Sequence, residues 1–296
     1  MELTFLGTAS MIPTAKRNHT ALFLQHNGAG VLFDCGEGTQ RQFRKAKIKP
    51  TKINIICISH WHGDHVLGLP GLLDTLDNLS EGTEIKVFGP KGIKKQFEFM
   101  SKAFPSHREM KITVTEVGEG VFYDAKEFSL EAYELDHTIR AMGFRFVEKD
   151  RRRIDMKKAK KAGLKEGPLL GKIQRGEDVT VDKKKVKAKD ITDLVVGKKF
   201  GYIADTLDNK NNLKIAKGCD VLVSESSFAS DLEDQARLYK HMTAKQAATI
   251  AKKSGVGKLF LIHLSSRYPN PKIVLEDATQ VFSSSIVPKD LDSISF

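Results

Sequence analysis

The chain has 296 residues, of which 40% are hydrophobic and 29% charged, a balance that predicts a globular protein able to bury a large core. No apolar run is long enough to cross a bilayer, which excludes a membrane-spanning protein. The first residues lack a secretion signal, and three cysteines in separate segments argue against a disulfide framework, so we expect a cytoplasmic protein. Cys35, Cys57 and Cys219 each lie beside strand-like apolar residues, which predicts buried free thiols.

The net charge of +11 is concentrated in one internal segment. Residues 149–199 contain 18 Lys and Arg against 8 Asp and Glu, so nearly all of the positive excess lies there. A concentrated basic segment indicates a polyanionic partner, most simply nucleic acid. The alternative is a flexible, lysine-rich surface insertion that charge keeps in solution.

In the first half of the chain, apolar residues follow the patterns of β-strands. The predicted strands are residues 2–6, 20–24, 31–33, 53–58, 84–88, 110–117, 128–135 and 141–147. Asn27 and Gly28 predict a hairpin between the second and third strands, because both residues tolerate positive φ. Three helices are predicted between these strands. The first follows the turn at 34–40 and ends near 47, the second covers 67–76, and the third begins at Pro90.

Regular α/β patterning resumes at Lys199, after the basic segment. Strands are predicted over 200–204, 220–223 and 258–262, and helices over 232–239, 244–253 and 272–282. Thr243 is expected to cap the second of these helices. Inside the basic segment, Gly167 and Pro168 predict a helix-breaking turn.

The residues 59–65, Ser-His-Trp-His-Gly-Asp-His, place three imidazoles and a carboxylate directly after a predicted buried strand. His and Asp side chains suit zinc and similar cations, and α/β enzymes commonly build sites on loops that follow strands. Two ligands facing one metal leave Asp64 and His65 free to face a second, so the spacing suggests a dinuclear site. Ligands without thiolates suggest a catalytic site. Trp61, the only Trp, is expected to pack this loop.

Three further residues, His137, Asp205 and His263, also lie just beyond predicted strand ends. Such placement would let distant segments converge on one edge of a sheet sandwich. Each of them alone has an ordinary explanation as a turn, cap or hydrogen-bonded loop residue. Asp34, in the turn after the third strand, is a candidate to orient a ligating histidine. The histidines without partner spacing are expected to be ordinary surface or strand residues: His19, His26 and His107.

The motif Ser-His-x-His-x-Asp-His at 59–65 resembles the signature of the metallo-β-lactamase superfamily. This resemblance implies an α/β fold, a four-layer αββα sandwich with a dinuclear zinc site along one edge. Further segments resemble the ribonuclease Z family of tRNA 3′-processing endonucleases, at residues 5–8, 13–18, 33–42, 167–169 and 202–206. The match covers essentially the whole chain, read as one domain, 1–296, with an inserted, protruding basic flexible arm at 148–198.

The resemblance implies two zinc ions per subunit, each held by three side chains, with a seventh bridging them. The implied ligands are His60, His62 and His137 for the first ion, Asp64, His65 and His263 for the second, and Asp205 as the bridge. Asp64 also receives a proton-transfer role, and Glu225 and His241 would assist the leaving oxygen. The family's His before this glutamate is Ser224 here, which weakens the assignment of Glu225, whereas Ala204 replaces a Gly at small cost.

The resemblance also implies a tRNA partner. The loop at 13–18, including Lys16 and Arg17, would contact the tRNA 3′ region, and the basic arm would clamp the tRNA body. The arm residues assigned to RNA binding are Gly167, Pro168, Lys172 and Arg175. The family pattern is a homodimer in which the arm of one subunit serves the site of the other.

We therefore expect a zinc-dependent endoribonuclease that removes the 3′ trailer of precursor tRNA. Two metal ions on one water would supply hydroxide at neutral pH, leaving a 3′-OH on the tRNA and a 5′-phosphate on the trailer. His241 is suited to protonate the departing 3′-oxygen. Hydrolases of small esters or thioesters and phosphodiesterases for small diesters stay open, although neither needs the basic segment. A binding protein with a defunct site is a third alternative, and manganese or iron could replace zinc.

Overall fold

The computed structural model describes residues 1–79, 84–105, 109–181 and 183–296. The strands are β1 (Glu2–Gly7), β2 (Ala21–His26), β3 (Ala29–Phe33), β4 (Ile55–Cys57), β5 (Glu84–Gly89), β6 (Lys111–Glu116), β7 (Gly120–Asp124), β8 (Phe128–Leu135), β9 (Ala141–Glu148), β10 (Arg151–Ile154), β11 (Val179–Val181), β12 (Lys184–Val186), β13 (Thr192–Val195), β14 (Lys199–Ile203), β15 (Val221–Glu225), β16 (Lys258–Ile262), β17 (Ser285–Ile286) and β18 (Ser293–Ser295).

The helices connect these strands. They are α1 (Thr39–Lys45), α2 (Gly63–Val66), α3 (Leu69–Leu79), α4 (Ile93–Ala103), α5 (Met156–Lys161), α6 (Pro168–Gln174), α7 (Ala188–Ile191), α8 (Lys210–Ala216), α9 (Glu233–Leu238), α10 (Ala244–Lys253) and α11 (Lys272–Thr279), with 3₁₀ turns at Pro50–Lys52 and Ser230–Leu232. Among the described residues, none of these helices combines the length and the apolar character that crossing a membrane requires. The chain forms two compact units, one of Met1–Asp124, Leu130–Phe146 and Lys199–Phe296, the other of Ala125–Ser129 and Val147–Lys198.

The first unit is built on two seven-stranded sheets. Their strand orders are β18-β1-β2-β3-β4-β5-β6 and β17-β16-β15-β14-β9-β8-β7. In each sheet one end is parallel, β3 to β6 in the first and β14 to β17 in the second. Parallel strands are covered on both faces, which explains why β4 and β15 are buried along their whole length.

Aromatic side chains fill the space between the two sheets. Phe5 lies 5.1 Å from Phe260, and Phe33 lies 5.2 Å from Phe200 and 6.0 Å from Phe144, measured between ring centroids. Helices α1, α3 and α4 pack on the outer face of the first sheet, and α8, α10 and α11 on that of the second. The expected four-layer αββα sandwich is therefore confirmed.

Most predicted elements of the first unit are present, with shifted ends. The hairpin between β2 and β3 turns at Asn27 and Gly28, whose φ angles are 46° and 84°. The helix predicted over 67–76 is α3, which begins two residues later, at Leu69, and ends three residues later, at Leu79. Gly68, just before it, lies against the main chain, where a Cβ would stand 2.1 Å from the Gly36 oxygen. Helix α4 begins at Ile93 rather than at Pro90. The three cysteines are buried free thiols, as predicted.

The second unit contains most of the basic segment and has regular secondary structure. Strands β10 and β13 pair antiparallel, as do β11 and β12. A separate cluster of buried apolar side chains holds it together, formed by Ala159, Leu164, Ile173, Val179, Val186, Ala188 and Ile191. The helix-breaking turn predicted over 167–172 was wrong, because α6 covers Pro168–Gln174 with Gly167 as N-cap. Pro168 lies in the first turn, where a helix tolerates proline.

Candidate metal centre

Segments that follow parallel or neighbouring strands bring the seven predicted ligands together. Strand β4 leads into the loop and short helix α2 that carry the first four, His60, His62, Asp64 and His65. The other three come after β8, β14 and β16, namely His137, Asp205 and His263. Because those strands end at the same edge of the sandwich, side chains up to 199 residues apart, such as Asp64 and His263, are in contact.

The first group consists of three imidazoles. The His62 Nδ1 atom lies 3.0 Å from His60 Nε2 and 3.3 Å from His137 Nε2. These three ring nitrogens face one another. They are spaced so that one cation could be held among them.

The second group consists of Asp64, His65, His263 and Asp205, all buried. The Nε2 atom of His263 is 3.2 Å from Asp64 Oδ2 and 3.2 Å from Asp205 Oδ2. His65 Nε2 is 3.4 Å from Asp64 Oδ2 and 3.5 Å from Asp205 Oδ1.

Asp205 also faces the first group, so it lies between the two. Its Oδ2 atom is 3.7 Å from His60 Nε2 and 3.9 Å from His137 Nε2. A carboxylate in this position can contribute an oxygen to each of two cations.

Buried polar atoms of the second group have the chemistry to bind a cation. Among the described residues, Asp64 Oδ1, His65 Nε2 and Asp205 Oδ1 are buried without any hydrogen-bond partner. Buried polar atoms are almost always satisfied, so three orphans on adjacent ligands indicate that something else binds them. Imidazole nitrogens and carboxylate oxygens are the donors of catalytic zinc sites, and the residues therefore fit two such ions.

The electrostatics favour the ligating forms of most of these groups. Burial lowers the pKa of His60 well below its ordinary value, and burial also lowers the pKa of His62 and of His137. Burial alone would raise the pKa of Asp64 and of Asp205, but the adjacent histidines outweigh it and lower both. Neutral imidazole and ionised carboxylate are the forms that bind metal.

Asp34 orients the loop of the first four ligands, in the position that the sequence suggested. Its Oδ2 atom lies 2.7 Å from His65 Nδ1 and accepts from Tyr202 OH at 2.6 Å. It also receives the Ser59 hydroxyl at 2.7 Å, and its Oδ1 receives the Ser59 N–H at 2.7 Å. Ser59 Oγ in turn lies 2.9 Å from His60 Nδ1. Such partners fix the tautomer and the direction of a ligating ring.

Glu225 and His241 form a pair beside the ligands. His241 Nδ1 lies 3.0 Å from Glu225 Oε1 and 4.0 Å from Asp205 Oδ2. Burial lowers the pKa of His241, but the Glu225 carboxylate outweighs burial and raises it to about 9. A histidine held protonated by a carboxylate can donate a proton to a leaving oxygen.

The sequence reasoning missed Ser227, which contacts this pair and a ligand. Its hydroxyl is 2.7 Å from Glu225 Oε2, 3.3 Å from His241 Nδ1 and 2.8 Å from His263 Nδ1. The only local signal was its position two residues after Glu225. Ser224, at the position of the family's His, donates its hydroxyl to the main-chain oxygen of Glu225 at 3.0 Å.

The ligands open into a cavity of about 320 Å³. Its walls include Met11 and Ile12, which are 55% and 62% exposed, and Arg267, whose guanidinium lies 4.6 Å from the Phe228 ring centroid. The cavity is wide enough for a chain terminus or a small diester, and its apolar and cationic walls match a nucleotide.

The residues predicted to bind RNA lie on both units. Lys16 is exposed on the first unit, whereas Arg17 donates to Thr8 Oγ1 at 2.6 Å and to the Pro288 oxygen at 2.8 Å. The four on the second unit are all exposed, Gly167, Pro168, Lys172 and Arg175. Arg175 pairs with Glu177 at 2.7 Å.

The other predicted histidines have ordinary surroundings. His19 and His26 are buried; His19 Nε2 lies 3.1 Å from the Met11 oxygen, and the His26 ring packs against Phe146. His107 lies outside the described residues. Trp61 packs against the core behind the metal loop, as predicted.

Comparison with known proteins extends the likeness to the whole chain. The chain is 37% identical to Ribonuclease Z of Methanothermobacter thermautotrophicus over 295 residues, covering 99% of this chain and 96% of that protein. It is 38% identical to Ribonuclease Z of Listeria monocytogenes serotype 4a, covering 98% of each. This chain belongs to the ribonuclease Z family. Membership in the ribonuclease Z family makes it an endoribonuclease.

The solved structures agree with this assignment. The short form of human tRNase Z (ELAC1) superposes with a TM-score of 0.73 at 25% identity, covering 100% of this chain and 99% of that one. The metallo-β-lactamase fold protein YhfI from Bacillus subtilis gives a TM-score of 0.72 at 17% identity, covering 99% and 98%, and shows the fold alone. Residues 1–151 also match the family model described as anti-Pycsar protein Apyc1. That match ends before Asp205 and His263, whereas the matches to the ribonuclease Z relatives extend over 98–99% of the chain.

Proposed function

We propose that this chain is a zinc-dependent endoribonuclease that removes the 3′ trailer from precursor tRNA, leaving a 3′-OH on the tRNA and a 5′-phosphate on the trailer. The observation that carries the proposal is the cluster of seven ligand side chains, three of whose buried atoms have no hydrogen-bond partner. The named activity of the relatives and the exposed cations of the second unit support RNA as the substrate.

Two zinc ions would be held by the two groups of ligands, with Asp205 shared between them. When bound, such ions lower the pKa of water and offset charge on the phosphoryl oxygens. Within the described part of the chain, the buried Asp64 Oδ1 has no hydrogen-bond partner, and Asp64 would accept a proton from the nucleophile.

His241 supplies the acid for the other half of the reaction. Its ring lies between Glu225 and the ligands, and Glu225 holds the imidazole in its protonated form. Transfer of that proton to the departing 3′-oxygen would complete the cleavage, and the carboxylate of Glu225 would stabilise the charge of the ring before transfer.

The proposed RNA contacts are mostly to phosphate. Lys16 is exposed on a loop whose earlier residues, Met11 and Ile12, line the metal cavity. The folded second unit is the proposed tRNA-binding arm, because its lysines and arginines are nearly all exposed and it has an apolar core of its own. Lysines contact backbone rather than bases, so shape and charge would select the tRNA body.

We also propose that the enzyme acts in the cytoplasm as a homodimer. An apolar face beside the metal loop supports the homodimer. Leu67, Phe99 and Phe104 are 59%, 57% and 52% exposed there, around a cavity of about 450 Å³. Trp61, inside the metal loop, lines the same cavity. Contiguous exposed apolar residues mark protein contacts, and a second copy seated here would adjoin the metal loop.

The test is cleavage of a precursor tRNA with and without a chelator, followed by mapping of both product ends. Cleavage after the discriminator nucleotide, lost with chelator and restored by zinc, is the expected result. Asp64→Ala should abolish cleavage while leaving binding of the precursor largely intact, and Asp234→Ala, an exposed carboxylate of α9, is the matched control. A 2′,3′-cyclic phosphate end, or cleavage that resists chelation, would rule out the proposed chemistry.

A further inference from the structure

The loop at residues 8–18, here called the entry loop, connects the metal cavity to an exposed cation. Its residues Met11 and Ile12 form part of the cavity wall, and Lys16 is exposed at its turn. The turn closes on itself, because the Thr14 N–H donates to the Arg17 oxygen at 2.9 Å and the Arg17 N–H donates to Thr14 Oγ1 at 3.0 Å. The position of this turn therefore depends on what holds the two ends of the loop.

One carboxylate, Asp290, holds both ends of the entry loop. Asp290 Oδ1 accepts from Thr8 Oγ1 at 2.7 Å, and Asp290 Oδ2 accepts from the Asn18 N–H at 2.6 Å. Gln42 of α1 donates to the same Oδ2 at 3.1 Å. An ionised carboxylate can accept from all three of these groups at once.

Arg17 reinforces this attachment from inside the loop. Its Nη1 donates to Thr8 Oγ1 at 2.6 Å and to the Pro288 oxygen at 2.8 Å. The guanidinium therefore faces the protein, and Lys16 is the neighbouring cation that faces solvent. Lys16 and Arg17, both predicted from the sequence to contact RNA, therefore have different surroundings.

The segment that carries Asp290 is itself fixed to the core. The Leu291 N–H donates to the Phe5 oxygen at 2.6 Å, and the Phe5 N–H donates to the Asp292 oxygen at 2.9 Å. Phe5 is fully buried in β1, and β18 continues the pairing beside it. A carboxylate anchored in this way has a defined position, which it imposes on the loop.

The entry loop also touches the metal ligands through the main chain. The Leu264 N–H donates to the Thr8 oxygen at 3.0 Å, and the Ser10 N–H donates to the Leu264 oxygen at 3.2 Å, directly after His263. The loop is therefore held on one side by the metal site and on the other by Asp290. The main chain also closes the loop, because the Thr8 and Ala9 N–H groups donate to the Asn18 oxygen at 3.0 and 2.9 Å, and Asp290 reinforces this closure by accepting from Thr8 and Asn18.

We propose that Asp290 is a positioning residue for RNA: it fixes the entry loop where Lys16 meets substrate phosphate and where Met11 and Ile12 shape the cavity. This proposal rests on the proposed function, since it takes an RNA 3′ region as the substrate. It assigns to Asp290 an effect on substrate binding rather than on the chemical step, because none of the hydrogen bonds given for its carboxylate reaches a metal ligand.

The test is Asp290→Asn, which keeps the shape but turns an NH₂ group toward donors. Loss of a charge-assisted hydrogen bond at each loop end should raise KM for precursor tRNA about tenfold, with kcat within about twofold of the parent. Hydrolysis of bis(p-nitrophenyl) phosphate, which is too small to reach Lys16, should stay within about twofold. Asp292→Asn removes the same charge two residues away, where the carboxylate accepts from the Lys289 N–H, and it should leave KM for precursor tRNA and hydrolysis of the small diester unchanged.

Hydrogen–deuterium exchange at residues 13–18 gives a readout that needs no RNA. In Asp290→Asn, the amides of this loop should exchange faster, and the rate elsewhere should be unchanged. Thr8→Val, which removes the hydroxyl that contacts both Asp290 and Arg17, should have the same effect. Unchanged exchange and an unchanged KM would overturn the proposal, as would equal losses on precursor tRNA and on the small diester. If the parent enzyme fails to cut precursor tRNA, the proposed function fails, whereas faster exchange would still show that Asp290 holds the loop.

Discussion

Replacing Asp34 by asparagine should weaken metal binding without disturbing the fold of the loop. The carboxylate accepts four short hydrogen bonds, two of them from Ser59 and one each from His65 and Tyr202. Asp34 has a φ of 56°, a left-handed conformation that asparagine tolerates and alanine does not. Asparagine is therefore the substitution that changes the charge and leaves the backbone unstrained.

The size of the effect follows from those four bonds. Asparagine can place its oxygen toward His65, but its NH₂ group then meets the Ser59 N–H, and one buried donor is left unsatisfied at a cost of about 1–3 kcal/mol. Changes in partners that orient metal-ligating histidines reduce metal affinity about 10–100-fold. The two estimates agree, because about 1.4 kcal/mol corresponds to a factor of ten.

Zinc affinity is measured by competition with a chromophoric chelator, with the metal content of each protein determined by mass spectrometry. The Asp34→Asn variant should lose zinc at a chelator concentration that leaves the parent loaded. Tyr202→Phe removes one of the four donors and keeps the contact with His65, so its loss should be smaller. Identical zinc release by Asp34→Asn and the parent would refute the claim that Asp34 orients the ligands.

Three further predictions concern other parts of the proposed enzyme. Glu225→Gln should lower kcat on precursor tRNA about 100-fold with the metal content unchanged, because His241 loses the carboxylate that keeps it protonated; full activity would remove the pair from the mechanism. Replacing Lys157 and Lys158 by Gln should weaken tRNA binding and reduce the slope of log K against log salt by about 0.7 for each lost phosphate contact. An unchanged slope would show that neither lysine contacts a phosphate. Phe104→Asp should convert a dimer into a monomer in analytical ultracentrifugation, and a parent that sediments as a monomer would refute the proposed interface.

The sequence predicted much of the metal centre because the relevant signal is local. Ligand residues directly follow strands, and strand patterns are visible in apolar runs such as the one before His60. Once the strands are aligned in sheets, their ends meet at one edge. The strand ends and the family resemblance together thus gave the candidate ligands, whereas their distances came only from the structure.

The parts that were missed depend on contacts between distant or neutral residues. Nothing near Asp290 in the sequence indicates that it accepts from Asn18, 272 residues away. Ser227 is an ordinary serine until His263 and Glu225 are placed on either side of it. Strand β7 was missed because it is only partly buried and shows no clean alternation.

The regular secondary structure of the basic segment was missed for a different reason. Its charge dominates the composition, and the few apolar residues that form its core, such as Leu164 and Ile173, are too widely spaced to show a period. The charge of this segment predicts a polyanionic partner, whereas its regular structure depends on a few apolar residues among the charged ones.

The distribution of the ligands along the chain also sets the order in which the centre can form. Asp64 and His263 are separated by 199 residues. At ribosomal rates of roughly 5–20 residues per second, the first ligands wait about 10–40 s for their last partner to be synthesised. During that interval the nascent chain gains His137 and Asp205, but it still lacks His263. The proposed metal centre is therefore complete only after His263 has been synthesised, and a shorter polypeptide lacks one of the proposed ligands.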